Sequence, residues 1–127
     1  MMLGLILTAA VTTMHPNPPA CDRNGTTQTA MTACAAYDLA REQAKLDLAY
    51  RGLLQRTKDP TALRNIRTAE NAWKAYRDAY LNAAYPLPDK QQAYGSIYPM
   101  NVARLQIQLI ARQITALNAL ADLYKDQ

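Results

Sequence analysis

Prolines divide this sequence into three long segments that can each form a helix. Residues 26–56 contain no proline, and their one glycine, Gly52, lies near the end. Pro60 opens the second segment, Pro86 closes it, and Pro99 lies at the start of the third. Proline disrupts a helix interior but fits the first turn of a helix. The spacing therefore predicts helices between these positions.

The first segment has an apolar stripe with helical periodicity. Either Thr26 or Thr27 can cap its start, because a hydroxyl there accepts a hydrogen bond from a free backbone N–H group. Asp47 and Arg51 are four residues apart and form a favourable pair on the solvent side. The predicted stripe, with members three or four residues apart, is Leu39, Glu42, Leu46, Ala49, Tyr50 and Leu53.

The second segment has the clearest start signal, because Asp59 is a favoured N-cap residue and a proline follows it. Glu70 and Lys74 form a favourable pair on a different, polar face. Two prolines require this helix to end near Tyr85. The predicted apolar stripe is Leu63, Ile66, Ala69, Trp73, Tyr76 or Arg77, Tyr80 and Ala84.

A long loop, residues 86–98, precedes the last helix, which begins at Ser96 or Pro99. A connection of this length in a small domain is a candidate functional surface. The last helix has a wide apolar face and is expected to contact both others, which predicts an all-α, antiparallel three-helix domain with an extended N-terminal arm. Its predicted face is Val102, Leu105, Leu109, Ala116, Leu120 and Leu123, widened by Ile107, Ile110, Ile114 and Leu117.

Residues 1–20 differ from the rest of the chain. The run "MMLGLILTAAV" is apolar but too short to span a membrane, and a proline-rich stretch follows it. This pattern is typical of a signal peptide, so we expect residues 1–20 to be a leader and residues 21–127 to be a periplasmic or secreted domain. No Lys or Arg precedes the run, so a frayed apolar terminus or a misassigned start codon is the alternative.

The two cysteines, Cys21 and Cys34, allow two interpretations. An even number of cysteines in an exported protein favours a disulfide, whereas a cytosolic chain would keep two buried thiols. The one histidine, His15, lies in the leader, which argues against a zinc site.

Residues for catalysis are scarce. Ser96 is the one serine, and the domain has no histidine to activate it. There is no glycine-rich phosphate loop, and the net charge of +4 comes from cations interleaved with acids, which is weaker than a nucleic-acid footprint. We therefore expect a protein-binding module that is not an enzyme, with no cofactor, metal ion or nucleic acid and no stable membrane insertion after processing.

Three separated motifs occur in order between Cys21 and about Leu120. Their residues are Met31 with Cys34, Ala72-Trp73 with Tyr76-Arg77-Asp78-Ala79, and Gly95-Ser96 with Pro99-Met100. Together these motifs resemble the lysozyme inhibitor LprI-like N-terminal domain family.

The resemblance implies a small, exported helical domain with Cys21 and Cys34 disulfide-bonded. Where the family usually has a second cysteine pair, this chain has Leu81 and Leu105, which we expect to be neighbours in the core. The structural signature that defines the fold would be Trp73, Tyr76, Arg77, Asp78, Gly95 and Pro99.

The signature residues also have an interpretation from the sequence alone. Trp73 is expected in the core, because large aromatic side chains mostly drive burial. Arg77 is expected to anchor a carbonyl of a neighbouring helix or of the loop. Asp78 is expected in solvent within reach of Lys74, pointing away from Arg77.

Some family members are described as binding and inhibiting lysozyme. This implies a muramidase as the partner, and such an enzyme has two essential carboxylates in its cleft. The candidate binding residues, all in the long loop, are Lys90, Tyr94, Ser96 and Tyr98. The alternative is a periplasmic envelope or immunity-type interaction protein with a different protein partner.

Overall fold

The computed structural model describes residues 21–125, in which all the regular structure is helical. The predicted leader lies outside these residues. Three long helices confirm the predicted all-α fold, and a fourth, short helix lies inside the predicted loop. The helices are α1, Gln28–Arg56; α2, Pro60–Ala84; α3, Lys90–Tyr94; and α4, Tyr98–Tyr124.

The start signals read from the sequence act as predicted. The Thr27 side chain accepts a hydrogen bond from the Ala30 backbone N–H at 3.1 Å and caps α1. The Asp59 carboxylate accepts one from the Ala62 N–H at 2.8 Å and caps α2. These bonds satisfy donors that the first helical turn leaves free. At the other end, Tyr85 is the residue that terminates α2.

Two links hold the N-terminal arm, residues 21–27, against α1. The predicted disulfide joins Cys21 to Cys34, with the two Cα atoms 4.9 Å apart. The Arg23 guanidinium makes two hydrogen bonds to the Asp38 carboxylate and thereby lowers the pKa of that carboxyl. The stabilisation from this pair is present at neutral pH and is lost as the pH falls through the lowered pKa. It is small, because both side chains are largely exposed to solvent.

The long helices alternate in direction, as predicted, so α1 and α4 run parallel. Near the start of both, the Gln28 amide lies 3.6 Å from the Met100 sulfur, and Ala35 packs against Met100 and Ala103. Further along, the main core forms where α2 joins them. Its buried members are Leu46, Leu53, Ile66, Ile110 and Leu117.

α4 contacts both α1 and α2, as predicted, and its contact with α1 is the larger. The buried positions differ in part from the predicted stripe. Ala116 and Leu123 are exposed, whereas Met100 and Ala103 are buried. The difference arises because Met100 and Ala103 pack against Ala35 of α1.

α2 is rotated relative to the sequence prediction. Ile66 and Glu70 are its buried residues, whereas Tyr76 and Tyr80 from the predicted stripe are exposed. Glu70 is only 3% exposed, so its predicted pairing with Lys74 on a polar face is wrong. The Gln113 amide of α4 donates a hydrogen bond to the Glu70 carboxylate at 2.9 Å. A buried carboxylate is tolerated when it has such a partner, which lets Glu70 occupy the core side.

The register of α2 on α4 supports the expected proximity of Leu81 and Leu105. Two contacts lie on either side of Leu81: the Glu70–Gln113 hydrogen bond and the contact between the rings of Tyr85 and Tyr98. In an antiparallel pair these contacts place Leu81 opposite residue 102, one helical turn from Leu105. Both leucines are half-buried.

We therefore expect the double variant Leu81→Cys/Leu105→Cys to form a second intramolecular disulfide under mild oxidation. Two cysteines can be bridged when their Cα atoms lie within about 7 Å. Thiol titration and intact mass measure the result. The control is Leu81→Cys/Leu120→Cys, whose second position lies four turns further along α4 and should stay reduced. Free thiols in the first variant would contradict the register.

Candidate functional site

The predicted functional loop, residues 86–98, has a defined structure. It begins with a turn that contains two prolines, and the Asp89 carboxylate then caps α3 by accepting a hydrogen bond from the Gln92 N–H at 3.4 Å. Gly95 ends α3 with a φ of 75°, a left-handed conformation that glycine adopts at little cost. α4 starts three residues later, with Pro99 in its first turn. Gly95 and Pro99 therefore set the two ends of a tight connection.

Three tyrosines form a cluster at the base of the loop, which we call the tyrosine cluster: Tyr85, Tyr94 and Tyr98. The Tyr85 ring meets each of the other two edge-on, with centroids 5.1 Å apart, and Tyr94 stacks on Tyr98 at 5.7 Å. The Leu87 backbone N–H donates to the Tyr94 hydroxyl at 3.0 Å, and the Lys90 ammonium donates to the Tyr85 carbonyl. These contacts close the loop on itself and fix its shape.

Most of the candidate binding residues have a role inside the loop. Lys90, Tyr94 and Tyr98 are half-buried, and each contacts the tyrosine cluster or belongs to it. Ser96 is exposed. The structure therefore makes Ser96 the one of the four whose whole side chain is presented to solvent.

Two aliphatic residues on the outside of the loop were not among the sequence candidates. Leu87 is 52% exposed and Ile97 is 44% exposed. We call Leu87, Ser96 and Ile97 the exposed loop residues. The sequence held one signal for Leu87, which lies between two prolines. A residue in that position cannot extend a helix, so its apolar character does not follow from a place on a buried helix face.

The helical signature around Trp73 forms a small stack at the edge of the core. Trp73 is half-buried and packs against the main core, close to the prediction. The Arg77 guanidinium lies 5.3 Å from the centre of the Trp73 ring, and its Nε donates to the Asp78 carboxylate at 3.1 Å. The expected Arg77 contact with a helix or loop carbonyl is thus replaced by this ion pair. The side chains of Arg77 and Asp78 converge, because arginine is long enough to reach back to its neighbour.

Other features of the described residues were compared with common kinds of site. Within residues 21–125, no group of three or more His, Cys, Asp or Glu side chains could hold a metal ion. A shallow pocket of about 200 Å³ lies beside the disulfide, between the arm, α1 and α4, with Asp38 and Arg104 in its wall. A more open hollow of about 330 Å³ follows it along α1, with Arg41 and Glu42 in its wall. No helix of the described part is long and apolar enough to cross a bilayer.

The protein is thus a small helical domain with an N-terminal arm tied by a disulfide and a loop that packs on the tyrosine cluster. The chain belongs to the lysozyme inhibitor LprI family, whose family model matches residues 21–117. This match confirms the resemblance read from the motifs. No curated protein and no solved structure matches the chain. The family is named for inhibition and not for catalysis.

Proposed function

We propose that this protein is an exported inhibitor of a lysozyme-type muramidase and that it binds the enzyme through the exposed loop residues. Family membership carries the first part of the proposal. The second part is supported by the structure of the loop. Its outer surface combines two exposed aliphatic side chains with a hydroxyl, and its inner side is held by the tyrosine cluster.

A rigid loop suits an inhibitor because little conformational entropy remains to be lost on binding. The tyrosine cluster, the Lys90 hydrogen bond and the flanking prolines all restrict the loop before a partner arrives. The muramidase cleft has two carboxylates beside the scissile bond. The Ser96 hydroxyl can donate to one of them, while Leu87 and Ile97 exclude water around it.

Electrostatic steering contributes little to this proposal. The net charge of +4 gives no long-range attraction to a basic muramidase. Short-range contacts of the loop must therefore supply the affinity, which makes the exposed loop residues the right positions to mutate.

Export is part of the same proposal. Lysozyme-type enzymes act on the cell wall, so an inhibitor must reach the periplasm or the exterior. The Cys21–Cys34 disulfide is consistent with an oxidising compartment. The predicted leader, residues 1–20, would direct the chain there.

We expect residues 21–127 to slow cell-wall lysis by at least one of the c-, g- or i-type lysozymes at micromolar concentration. Ile97→Asp and Leu87→Asp should each weaken inhibition by about tenfold or more, because they place an unpaired charge at the centre of the contact. Ser96→Ala should weaken it less. A turbidity assay with a dilution series of each variant measures the effect.

Leu48→Asp is the matched control, since Leu48 is an exposed leucine in the middle of α1 and far along the bundle from the loop. Its inhibition should equal that of the parent. If the parent slows none of the lysozymes, the inhibitor proposal fails and an envelope or immunity-type partner replaces it. If the three loop variants inhibit like the parent, the activity stands and the loop is not the binding surface.

A further inference from the structure

The charged residues of α2 all lie on one side of the helix. At 100° per residue they fall within an arc of about 140°. They are Arg64, Arg67, Glu70, Lys74, Arg77 and Asp78. The opposite side of α2 has no charged residue along its whole length. A surface helix usually carries charged residues on the side that faces solvent, so this side is unusual.

The uncharged side of α2 is exposed and aromatic at its centre. Tyr76 is 55% exposed and Tyr80 is 37% exposed, and the two rings lie 5.9 Å apart. Exposed alanines continue the same stripe on both sides of the tyrosines. We call this surface the α2 face: Ala69, Ala72, Tyr76, Tyr80 and Ala83. Enrichment in tyrosine and depletion of charge are the marks of a protein interface core.

The spacing of the α2 face is symmetric about Tyr76. Ala72 and Tyr80 lie four residues away on either side, and Ala69 and Ala83 lie seven residues away. If two copies of α2 pack antiparallel with Tyr76 at the twofold axis, each Tyr80 faces Ala72 of the second copy. A large side chain then fills the space left by a small one, and this complementarity occurs twice in the symmetric pair.

We propose that the α2 face binds the same face of a second copy of this chain, giving a twofold-symmetric dimer. The spacing selects this occupant, because the large Tyr80 and the small Ala72 of one chain complement those of an identical chain. The charges allow it, since each copy carries +4 and the cations of α2 lie away from the contact. The dimer does not depend on the proposed function.

The dimer should be weak. A single pair of helices buries less than the roughly 1,600 Å² of a standard interface, so we expect dissociation in the micromolar range. Analytical ultracentrifugation of the parent from micromolar to millimolar concentration should show a monomer–dimer equilibrium.

Two lysine variants separate the α2 face from a general charge effect. Tyr76→Lys places two ammonium groups at the twofold axis and should raise the dissociation constant by about tenfold or more. Asn71→Lys adds the same charge to an exposed position on the charged side of the same helix and should leave the equilibrium unchanged. A parent that stays monomeric, or equal effects of the two variants, would overturn the proposal.

Cysteine pairing tests the geometry. Ala72→Cys and Tyr80→Cys are prepared separately and then oxidised alone and mixed, with the native disulfide kept intact. Only the mixture should give a covalent dimer on a non-reducing gel. In the antiparallel pair, residue 72 of one copy and residue 72 of the other lie about 12 Å apart along the helix axes, and the same holds for residue 80. This distance is beyond the reach of a disulfide. Equal cross-linking of each variant alone would overturn the antiparallel arrangement.

If the parent is monomeric and Tyr76→Lys abolishes lysozyme inhibition, the α2 face belongs to the muramidase and not to a second copy.

Discussion

Replacing Ile110 with alanine should lower the free energy of unfolding by about 2–5 kcal/mol. Ile110 is among the most buried side chains of the domain and belongs to the main core, in which all three long helices take part. Removal of its outer methyl groups loses burial energy and also leaves a cavity between helices that are held apart by their other contacts. This is the largest effect that we expect from a single substitution.

Urea denaturation, followed by circular dichroism and by the fluorescence of Trp73, measures this loss. Trp73 packs against the same core, so the two signals should change together. Leu123→Ala is the matched control, because Leu123 is an exposed aliphatic residue of the same helix. Its effect should stay within about 0.5 kcal/mol. Equal losses in the two variants would contradict the placement of the core.

Loss of the Cys21–Cys34 disulfide should destabilise the domain by about 3 kcal/mol in the chain-entropy model. The double variant Cys21→Ser/Cys34→Ser frees the arm in the unfolded state, while in the folded state the contacts of Arg23 with Asp38 and with the Tyr37 ring still tie it to α1. Denaturation of the parent with and without reductant should show the same loss.

Reductant should not change the stability of the double serine variant, because that variant has no disulfide. It therefore serves as the control for any other effect of the reductant. Titration of the parent under denaturing, non-reducing conditions should find no reactive thiol. Two reactive thiols in each chain would show that the bridge is not formed, and a stability equal to that of the parent would show that it does not constrain the chain.

Local signals in the sequence were sufficient for the starts of α1 and α2 and for the inner side of α1, whereas α4 starts at Tyr98 and not at the predicted Ser96 or Pro99. Thr27 and Asp59 cap their helices through bonds to the next turn, so no distant residue has to be known. The stripe of α1 was predictable for a related reason. It has buried leucines at positions 46 and 53, and its regular spacing matches the helical repeat.

The rotation of α2 could not be read from the sequence. Polarity alone assigns Glu70 to solvent and Tyr76 to the core, and the structure reverses both. The reversal depends on Gln113, a residue of another helix that supplies the hydrogen bond to the buried carboxylate. No pattern within α2 contains that information.

The sequence predicted which segment contains the candidate site, but not which of its side chains face solvent. Prolines and length identified residues 86–98 as a surface loop. Tyrosine, however, packs as well as it binds, and only the three-dimensional contacts show that Tyr94 and Tyr98 support the loop from within. The same contacts turn Leu87 and Ile97 outward.

The parallel arrangement of α1 and α4 has a consequence for how the chain folds. Their contact near the helix starts joins Gln28 to Met100, residues 72 positions apart. The largest helix–helix interface therefore forms only after a long segment has closed, which slows folding relative to bundles in which sequential helices make the main contacts. During synthesis from the N-terminus, α1 therefore meets its largest partner only after α4 has been made.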